Sequence, residues 1–197
     1  MSEQNIAEQC RKGDNAARAE LYKAYSPRLM AVCTRYASCR EEAEDLLHDA
    51  FLRIFARLDS FRWKGEGSLR AWLEQVTRST VVDNLRQSQS LTFVPLGDVE
   101  LESTDEPTAD DIYRMDVNEL MRLISELPAG YRAVFNLYCI DGLPHKEIAR
   151  LLGIKENSSA SQLARAKAML ARKIKELGTD GAARAKELAH FAESRQR

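Results

Sequence analysis

One stretch near the C-terminus decides the fold: HKEIARLLGIKENSSASQLARAKAMLARKI, which runs from His145 to Ile174 of a 197-residue chain. Its apolar residues recur at helical spacing up to Leu152 and again from about Asn157, which predicts a short helix and then a longer one. Gly153 supplies the backbone freedom that a tight turn between the two helices requires. The stretch is therefore typical of a helix-turn-helix.

The second helix of this motif has two different faces when each residue turns the helix by about 100°. The predicted core face consists of Leu163, Ala166, Leu170, Ile174 and Leu177. The far face carries Ser158, Ser161 and Arg165 near the helix N-terminus, the end that a recognition helix presents to the DNA major groove. The cations around it that suit phosphate contacts are Lys146, Arg150, Lys155 and Lys167. An ordinary helical hairpin with a solvated polar face is the alternative interpretation.

The distribution of charged residues along the chain indicates how it is divided into domains. The 29 basic and 30 acidic residues give a net charge of −1, which does not support a uniformly basic nucleic-acid-binding protein. Residues 98–119 are nevertheless net −8, and residues 120–177 are net +5. The acidic stretch lacks periodicity, and so long a loop is unusual inside one compact domain. We predict two small helical domains, residues 1–90 and 116–177, joined by a flexible acidic linker (91–115) and followed by a tail (178–197).

Helical spacing also runs through the N-terminal half. Asp14 predicts the N-cap of a first helix, in which Pro27 either introduces a kink or starts a new helix. A second helix is expected from about Glu41 to Leu58, and a third after Ser68, which can cap it. Between them lies a loop, residues 59–67. No run of residues alternates with a period of two, so the predicted fold class is all-α.

Several classes of protein are disfavoured. The longest stretch without a charge runs only from Gln87 to Gly97, too short to span a membrane, and the first residues do not resemble a signal peptide, so a cytoplasmic protein is predicted. The four cysteines include no Cys-x-x-Cys pair and are expected to be reduced and mostly buried. Glu44 and His48 share a helix face, but no paired Glu-x-x-His motif and no phosphate-binding loop is present. We therefore predict no enzyme activity, no metal and no cofactor.

Two blocks of sequence carry a family resemblance. The first is AEDLLHDAFLRIFARLDSF (43–61) followed by LRAWLEQVTRSTVVDNLR (69–86), and the second is LISELPAGYRAVFNLYCIDGLP (123–144) followed by the helix-turn-helix. They resemble regions two and four of the extracytoplasmic-function (ECF) sigma factors of the sigma-70 superfamily. The resemblance implies bacterial core RNA polymerase and promoter DNA as partners, and it allows an anti-sigma factor as well. A helix-turn-helix regulator that does not join polymerase is the alternative.

The resemblance also implies roles for individual residues. The acidic start of the second helix would dock on polymerase through Glu41, Glu44, Asp45, Leu46 and Asp49. A solvated acidic helix start is the alternative for this segment. The loop would capture an unstacked base of the minus-ten element through Arg62, Trp63 and Lys64, and the backbone phosphates would contact Arg70 and Arg78. Minus-thirty-five recognition would use Lys155, Ser158, Ser161, Gln162, Arg165 and Lys167. Phe61 and Trp72 are expected to pack in the core.

Some positions depart from the family pattern. His48 stands where Gln is usual and Ser79 where Asn is usual, and the shorter reach of Ser79 leaves its DNA contact open. Ser159 occupies a position that is normally apolar, which predicts weaker packing at the start of the recognition helix. Gly178 and Gly181 predict a hinge, and the sequence from Ala182 to Glu193 beyond it is compatible with a helix. The tail is expected either to fray or to make a regulatory contact.

Overall fold

A computed structural model describes residues 2–87 and 116–193, with only the helical backbone of residues 178–193. The N-terminal half contains four helices: α1 (Glu3–Arg11), α2 (Asn15–Thr34), α3 (Arg40–Arg57), followed by a 3₁₀ turn (Leu58–Ser60), and α4 (Ser68–Gln87). The C-terminal half contains α5 (Val117–Ser125), α6 (Ala129–Phe135), continuing as a π-helical turn (Asn136–Ile140), α7 (His145–Leu152) and α8 (Glu156–Glu193). Residues 2–87 and 116–193 contain no strand, and the all-α prediction is confirmed. The predicted linker, 91–115, lies outside the described residues.

Helices α2 to α4 form where the periodicity predicts them. Asp14 caps α2, since its Oδ1 accepts hydrogen bonds from the backbone N–H of Ala16 at 2.8 Å and of Ala17 at 3.4 Å. Pro27 lies inside α2, which continues through it as one helix of 20 residues. The predicted apolar face of α3 and its following turn is buried throughout: Ala43, Leu47, Ala50, Phe51, Ile54 and Leu58.

The start of the chain differs from the prediction, because α1 was not expected. Its apolar residues Ile6, Ala7 and Cys10 are too few to signal a helix by periodicity, but they are buried in the main hydrophobic cluster. Ser68 differs as well. It begins α4, but its hydroxyl accepts from Lys64 N at 3.2 Å and donates to Gly65 O at 2.6 Å, so it closes the preceding loop.

The C-terminal half contains the predicted helix-turn-helix. Gly153 ends α7 in the left-handed region with φ of +69°, which a residue with a side chain adopts only with strain. The core face of α8 is as predicted, with Leu163, Ala166, Leu170 and Ile174 buried. Helix α8 continues to Glu193, so the backbone does not break at the predicted hinge. Residues 182–193 are helical, as their sequence allows, and the role of the tail stays a prediction.

Ser159 is accommodated by a specific hydrogen bond instead of weakening the packing. The Ser159 side chain is fully buried, and its Oγ lies 3.0 Å from Nδ1 of His145 in α7. The His145 ring in turn stacks on Tyr138, with ring centroids 4.6 Å apart. A hydroxyl in this position therefore ties the recognition helix to the helix that precedes it.

Ser159→Ala is expected to lower the free energy of unfolding by about 1 kcal/mol, the usual net value of one hydrogen bond. The loss is modest because His145 is partly exposed and can bond water instead. Urea denaturation of the full chain measures it. The matched control is Ser161→Ala, since the exposed Ser161 hydroxyl bonds only Asn157 O of its own helix. Equal midpoints for the two variants would contradict the structural role of Ser159.

The two halves share one hydrophobic cluster. It includes Val81, Val82 and Leu85 of the N-terminal half together with Val134, Leu137, Ile148 and others of the C-terminal half. Two backbone carbonyls just after α2, at its C-cap and the next residue, also accept bonds across the contact, since Asn136 donates to Arg35 O and Arg132 to Tyr36 O, each at 2.7 Å. The described domains therefore pack closely against each other.

The cysteines are all free, but they are not mostly buried as predicted. Cys10 and Cys33 are buried, whereas Cys39 and Cys139 are exposed. Burial raises the pKa of the Cys33 thiol to about 12, which makes it a poor nucleophile at neutral pH. One exposed thiol therefore lies on each half of the molecule.

Among residues 2–87 and 116–193, none of the helices combines the length and the apolar character that crossing a lipid bilayer requires. The same part of the chain contains no group of three or more His, Cys, Asp or Glu side chains placed to hold a metal ion.

Candidate nucleic-acid and protein interfaces

The loop between α3 and α4 forms one wall of a surface cavity of about 710 Å³. Two of the five predicted minus-ten residues, Trp63 and Arg70, line this cavity. The start of α1 forms the opposite wall, through Ser2, Glu3 and Gln4. Trp63 is half-buried and packs on the main cluster at its inner edge. An aromatic ring, a guanidinium and an open cavity of this size together suit an unstacked base.

The other predicted residues of this loop lie outside the cavity. Lys64 is exposed, and Arg62 is exposed with its Nη1 bonded to the carbonyl oxygens of Asp59 at 2.6 Å and Phe61 at 3.1 Å. Phe61 packs in the core as predicted, with its ring 5.4 Å from that of Trp72. Arg62 is therefore tied to the loop backbone through one of its three guanidinium nitrogens.

Arg78 is placed differently from the four other minus-ten candidates. Its Nε donates to Asp141 Oδ2 at 2.9 Å, and its Nη2 lies 3.3 Å from Asp141 Oδ1. Asp141 belongs to the C-terminal half, and its side chain is only 6% exposed. The same carboxylate also accepts from Tyr36 Oη at 2.9 Å and from Arg35 Nη2 at 3.3 Å. We call these four residues the Asp141 cluster. The cluster joins the two halves. It also engages Arg78, whose side chain was predicted to bind a DNA phosphate.

The Asp141 cluster depends on a protonated phenol. Burial, and then the negative charge of Asp141, raise the pKa of Tyr36 well above its usual value. The Tyr36 hydroxyl therefore remains a donor at neutral pH. Because this pKa is higher in the folded chain than in the unfolded one, the contribution of Tyr36 to stability is fully present below about pH 10 and is lost as the pH rises beyond it.

The far face of α8 is mostly available to a partner. Ser161, Lys155 and Lys167 are exposed, and Ser158 and Arg165 are half-buried. Gln162 does not lie on this face, because its side chain is 7% exposed and its buried Oε1 has no hydrogen-bond partner. On a helical wheel Gln162 falls about 40° from Ala166, on the core side. Gln162 is therefore not available on the far face in this structure, and its contact with DNA bases stays a prediction.

The acidic surface of α3 differs from the prediction in which leucine is exposed on it. Asp45 and Asp49 are exposed as predicted, but the Leu46 side chain is buried at 6% exposure and does not reach the surface. The exposed leucine on this surface is Leu52, which is 57% exposed. Leu52 follows Asp45 by seven residues and Asp49 by three, the spacing of one helix face, and this was the signal that the sequence analysis missed.

The two remaining acidic candidates make local contacts at the start of α3. Glu44 forms an exposed ion pair with Arg40, Nε to Oε1, at 2.8 Å. Hydrogen bonds from the Glu41 backbone N–H and then from the Cys39 side chain lower the pKa of the Glu41 carboxyl. These local contacts stabilise the start of the helix. For Glu41 and Glu44 they are compatible with the alternative interpretation, a solvated acidic helix start.

A second cavity, of about 380 Å³, opens between α3 and α4 beside the acidic face. Asp49 and Leu52 line it together with Arg53, Asp83 and Asn84. Arg53 Nη1 and Asp83 Oδ2 are 2.6 Å apart, and Asn84 donates to Asp49 Oδ2 at 3.3 Å. Asp45, Asp49 and Leu52, with this cavity, form what we call the acidic face. Carboxylates around an exposed leucine suit a basic, partly apolar protein surface.

Two family models match the chain in this order. Residues 21–91 match Sigma-70 region 2, and residues 118–170 match Sigma-70, region 4. The first contains the acidic face and the loop before α4, and the second contains the helix-turn-helix. Together they cover more than half of the chain, so the chain belongs to the sigma-70 family.

Known relatives narrow the class. The chain is 29% identical to the ECF RNA polymerase sigma factor SigM of Mycobacterium tuberculosis, over 85% of this chain and 82% of that one. It is 27% identical to the ECF RNA polymerase sigma factor SigW of Bacillus subtilis, over 86% of this chain and 95% of that one. Among solved structures, the sigma factor RpoE of Bartonella quintana, in complex with the anti-sigma factor NepR, is similar with a TM-score of 0.48 and 21% identity, over 80% of this chain and 96% of that one. The protein is an RNA polymerase sigma factor of the ECF type, from a family of initiation factors that are not enzymes.

Proposed function

We propose that this sigma factor joins core RNA polymerase in the cytoplasm and directs it to promoters that have a minus-ten and a minus-thirty-five element. The observation that carries the proposal is the pair of region matches, which fall in order on one helical unit with an acidic face and another with a helix-turn-helix. In this proposal the sigma factor supplies binding and strand separation, and the polymerase supplies the chemistry. Family membership also makes an anti-sigma factor a proposed partner.

The minus-ten element is proposed to bind at the larger cavity. Stacking of one base on an aromatic ring contributes about 1–3 kcal/mol, comparable to the few kcal/mol needed to extrude it from the duplex. Trp63 offers the ring, and Arg70 and Lys64 offer cations for the adjacent phosphates. Arg78 can join them only when Asp141 releases it. Binding of this element is therefore coupled to separation of the two halves.

The minus-thirty-five element is proposed to bind the far face of α8. Arg165 can donate two hydrogen bonds to a guanine edge, while Ser158 and Ser161 have short side chains that allow close approach of the helix. Lys155 and Lys167 flank this face and suit contact with phosphate. The buried Gln162 is left out of the proposed readout.

Arg165→Ala is expected to weaken binding to the upstream element by about 1–3 kcal/mol, the usual value of a bidentate contact with a base. Competition between the parent sequence and single-base variants of that element, with sigma bound to core polymerase, measures the loss and its position. Lys167→Ala serves as the control, because removal of a phosphate contact weakens all sequences alike. An unchanged sequence preference in the Arg165 variant would show that the assigned face is wrong.

Run-off transcription with core polymerase on a library of genomic promoters tests the whole proposal. It is expected to yield a set of templates with two common elements. Gel filtration with core polymerase separates this reading from that of a stand-alone regulator, which would elute apart from the enzyme. Such a regulator does not join polymerase and usually dimerises on a palindromic site, so the absence of run-off products together with binding to a palindromic duplex would favour it.

A further inference from the structure

Helix α1 lies across the loop that the proposed function assigns to base capture, although the family model for region 2 begins only at residue 21. Its first and last residues are Glu3 and Arg11, about 12 Å apart along the helix axis. Each of these two side chains reaches a different end of the loop, residues 59–67. The helix thus spans the loop as a brace.

Arg11 holds the N-terminal end of the loop. Its Nη2 donates to Phe61 O at 3.1 Å and to Leu58 O at 3.4 Å, and its Nε lies 3.8 Å from Asp59 Oδ1. These two carbonyls belong to the 3₁₀ turn and the residue after it, where the chain leaves α3. A guanidinium is suited to this contact because its donors lie in a fixed plane and its charge strengthens each bond.

Glu3 holds the C-terminal end of the loop. Its Oε2 accepts from the backbone N–H of Gly67 at 2.9 Å, and its Oε1 accepts from Tyr25 Oη of α2 at 2.8 Å. Burial, and then the bond to Glu3, raise the pKa of Tyr25, so its hydroxyl stays protonated and keeps donating. With both oxygens bonded, the carboxylate is fixed in one orientation. Gly67 has φ of +80°, and it is the last residue before α4.

Trp63 lies between these two anchors, and Glu3 and Trp63 line the same cavity. The side-chain hydrogen bonds within the loop are local: Arg62 bonds the carbonyl oxygens of Asp59 and Phe61 in the first half, and Ser68 bonds Lys64 and Gly65 in the second, so none of them joins the two ends. The position of the Trp63 ring over the cavity therefore depends on both ends of the loop being held at a constant separation.

We propose that Glu3 and Arg11 are positioning residues for promoter opening, which hold the loop in the shape that captures an unstacked minus-ten base. This inference rests on the proposed function, and it extends the minus-ten site to a helix that the family match does not include. Neither residue needs to touch the DNA. Their effect is transmitted through the loop backbone to Trp63.

The test uses full-length sigma bound to core polymerase and fork-junction duplexes in which each minus-ten base is changed in turn. Glu3→Ala and Arg11→Ala are each expected to reduce discrimination between the preferred base and the others by roughly tenfold, about the effect of losing one charge-assisted hydrogen bond. Affinity for core polymerase and for the isolated upstream duplex stays unchanged. The matched controls are Glu8→Ala on the same helix and Lys12→Ala at its C-cap, both at exposed positions.

A purely structural role for α1 predicts a different pattern, in which heat stability and all binding activities fall together while base discrimination is kept. Tyr25→Phe provides a milder variant, because it removes only the hydroxyl that orients Glu3, and a smaller loss of discrimination is expected. If Glu3→Ala and Tyr25→Phe discriminate between minus-ten bases as well as the controls do, the proposed positioning role of α1 is wrong. If the unmodified protein itself shows no minus-ten preference on core polymerase, the proposed function fails and this inference fails with it.

Discussion

Replacement of Asp141 by alanine is expected to separate the two halves of the free protein and, at the same time, to increase its affinity for promoter DNA. The carboxylate is 6% exposed and accepts from Tyr36, Arg35 and Arg78 of the other half. Loss of one partner in a buried ionic cluster costs about 3–5 kcal/mol, and the partial exposure of both arginines places the effect near the lower end. Arg78 is then free to bind phosphate, so a destabilising substitution improves binding.

The exposed thiols Cys39 and Cys139, one on each half, allow this opening to be measured with a pair of fluorescent labels. Energy transfer between them is expected to fall in the Asp141 variant, while the anisotropy of a labelled promoter duplex shows tighter binding. Asp83→Ala is the matched control, since its ion pair with Arg53 lies wholly within the N-terminal half and is more exposed. Unchanged energy transfer would mean that the Asp141 cluster does not hold the domains together.

Reversal of charge on the acidic face, with Asp45→Lys and Asp49→Lys combined, is expected to slow association with core polymerase by tenfold or more at low salt, on the order of a strong steering effect. Both carboxylates are exposed, and Leu52 beside them remains available for apolar contact. The loss is expected to shrink as salt rises above about 0.15 M, where the Debye length falls below about 8 Å. Stopped-flow mixing of labelled sigma with core polymerase measures the rate.

The double variant Glu8→Lys and Glu147→Lys carries the same change of net charge at two exposed positions on other helices. It is expected to associate at nearly the rate of the unmodified protein. Equal slowing in both double variants would assign the effect to overall charge. Neither Asp45 nor Asp49 is buried, so both double variants are expected to keep their helicity. Circular dichroism measures this.

Local patterns were sufficient to predict most helices and the helix-turn-helix. Asp14 capped α2, Gly153 ended α7, and the stripe from Leu163 to Ile174 was buried, because each depends on residues within a few positions of one another. Helix α1 was not predicted, because it is short and has only three buried residues. The π-helical turn from Asn136 to Ile140 was not predicted either, because it leaves no signal in the spacing of apolar residues, although the helical segment ends at Asp141 and Gly142 as their sequence indicates.

The sites were less predictable, since they depend on contacts between distant parts of the chain. Asp141 before Gly142 reads as the end of a helix, and nothing local shows that Arg78, 63 residues earlier, will donate to it. Gln162 and Leu46 were assigned by resemblance, although their wheel positions place them toward the core. Glu3 bonds Gly67, 64 residues later, so its contact becomes visible only when α1 is packed against the loop, whereas the spacing of Leu52 from Asp45 and Asp49 was a local signal.

Each half of the protein covers apolar surface of the other, because Val82 and Leu85 belong to the same cluster as Val134, Leu137 and Ile148. A chain divided between residues 88 and 115 would expose these surfaces to water, and contiguous apolar patches promote self-association. The separated halves are therefore expected to precipitate or to pair with each other when they are produced together. We therefore expect the packing of the two halves in the intact chain to protect the free sigma factor from aggregation until it binds polymerase.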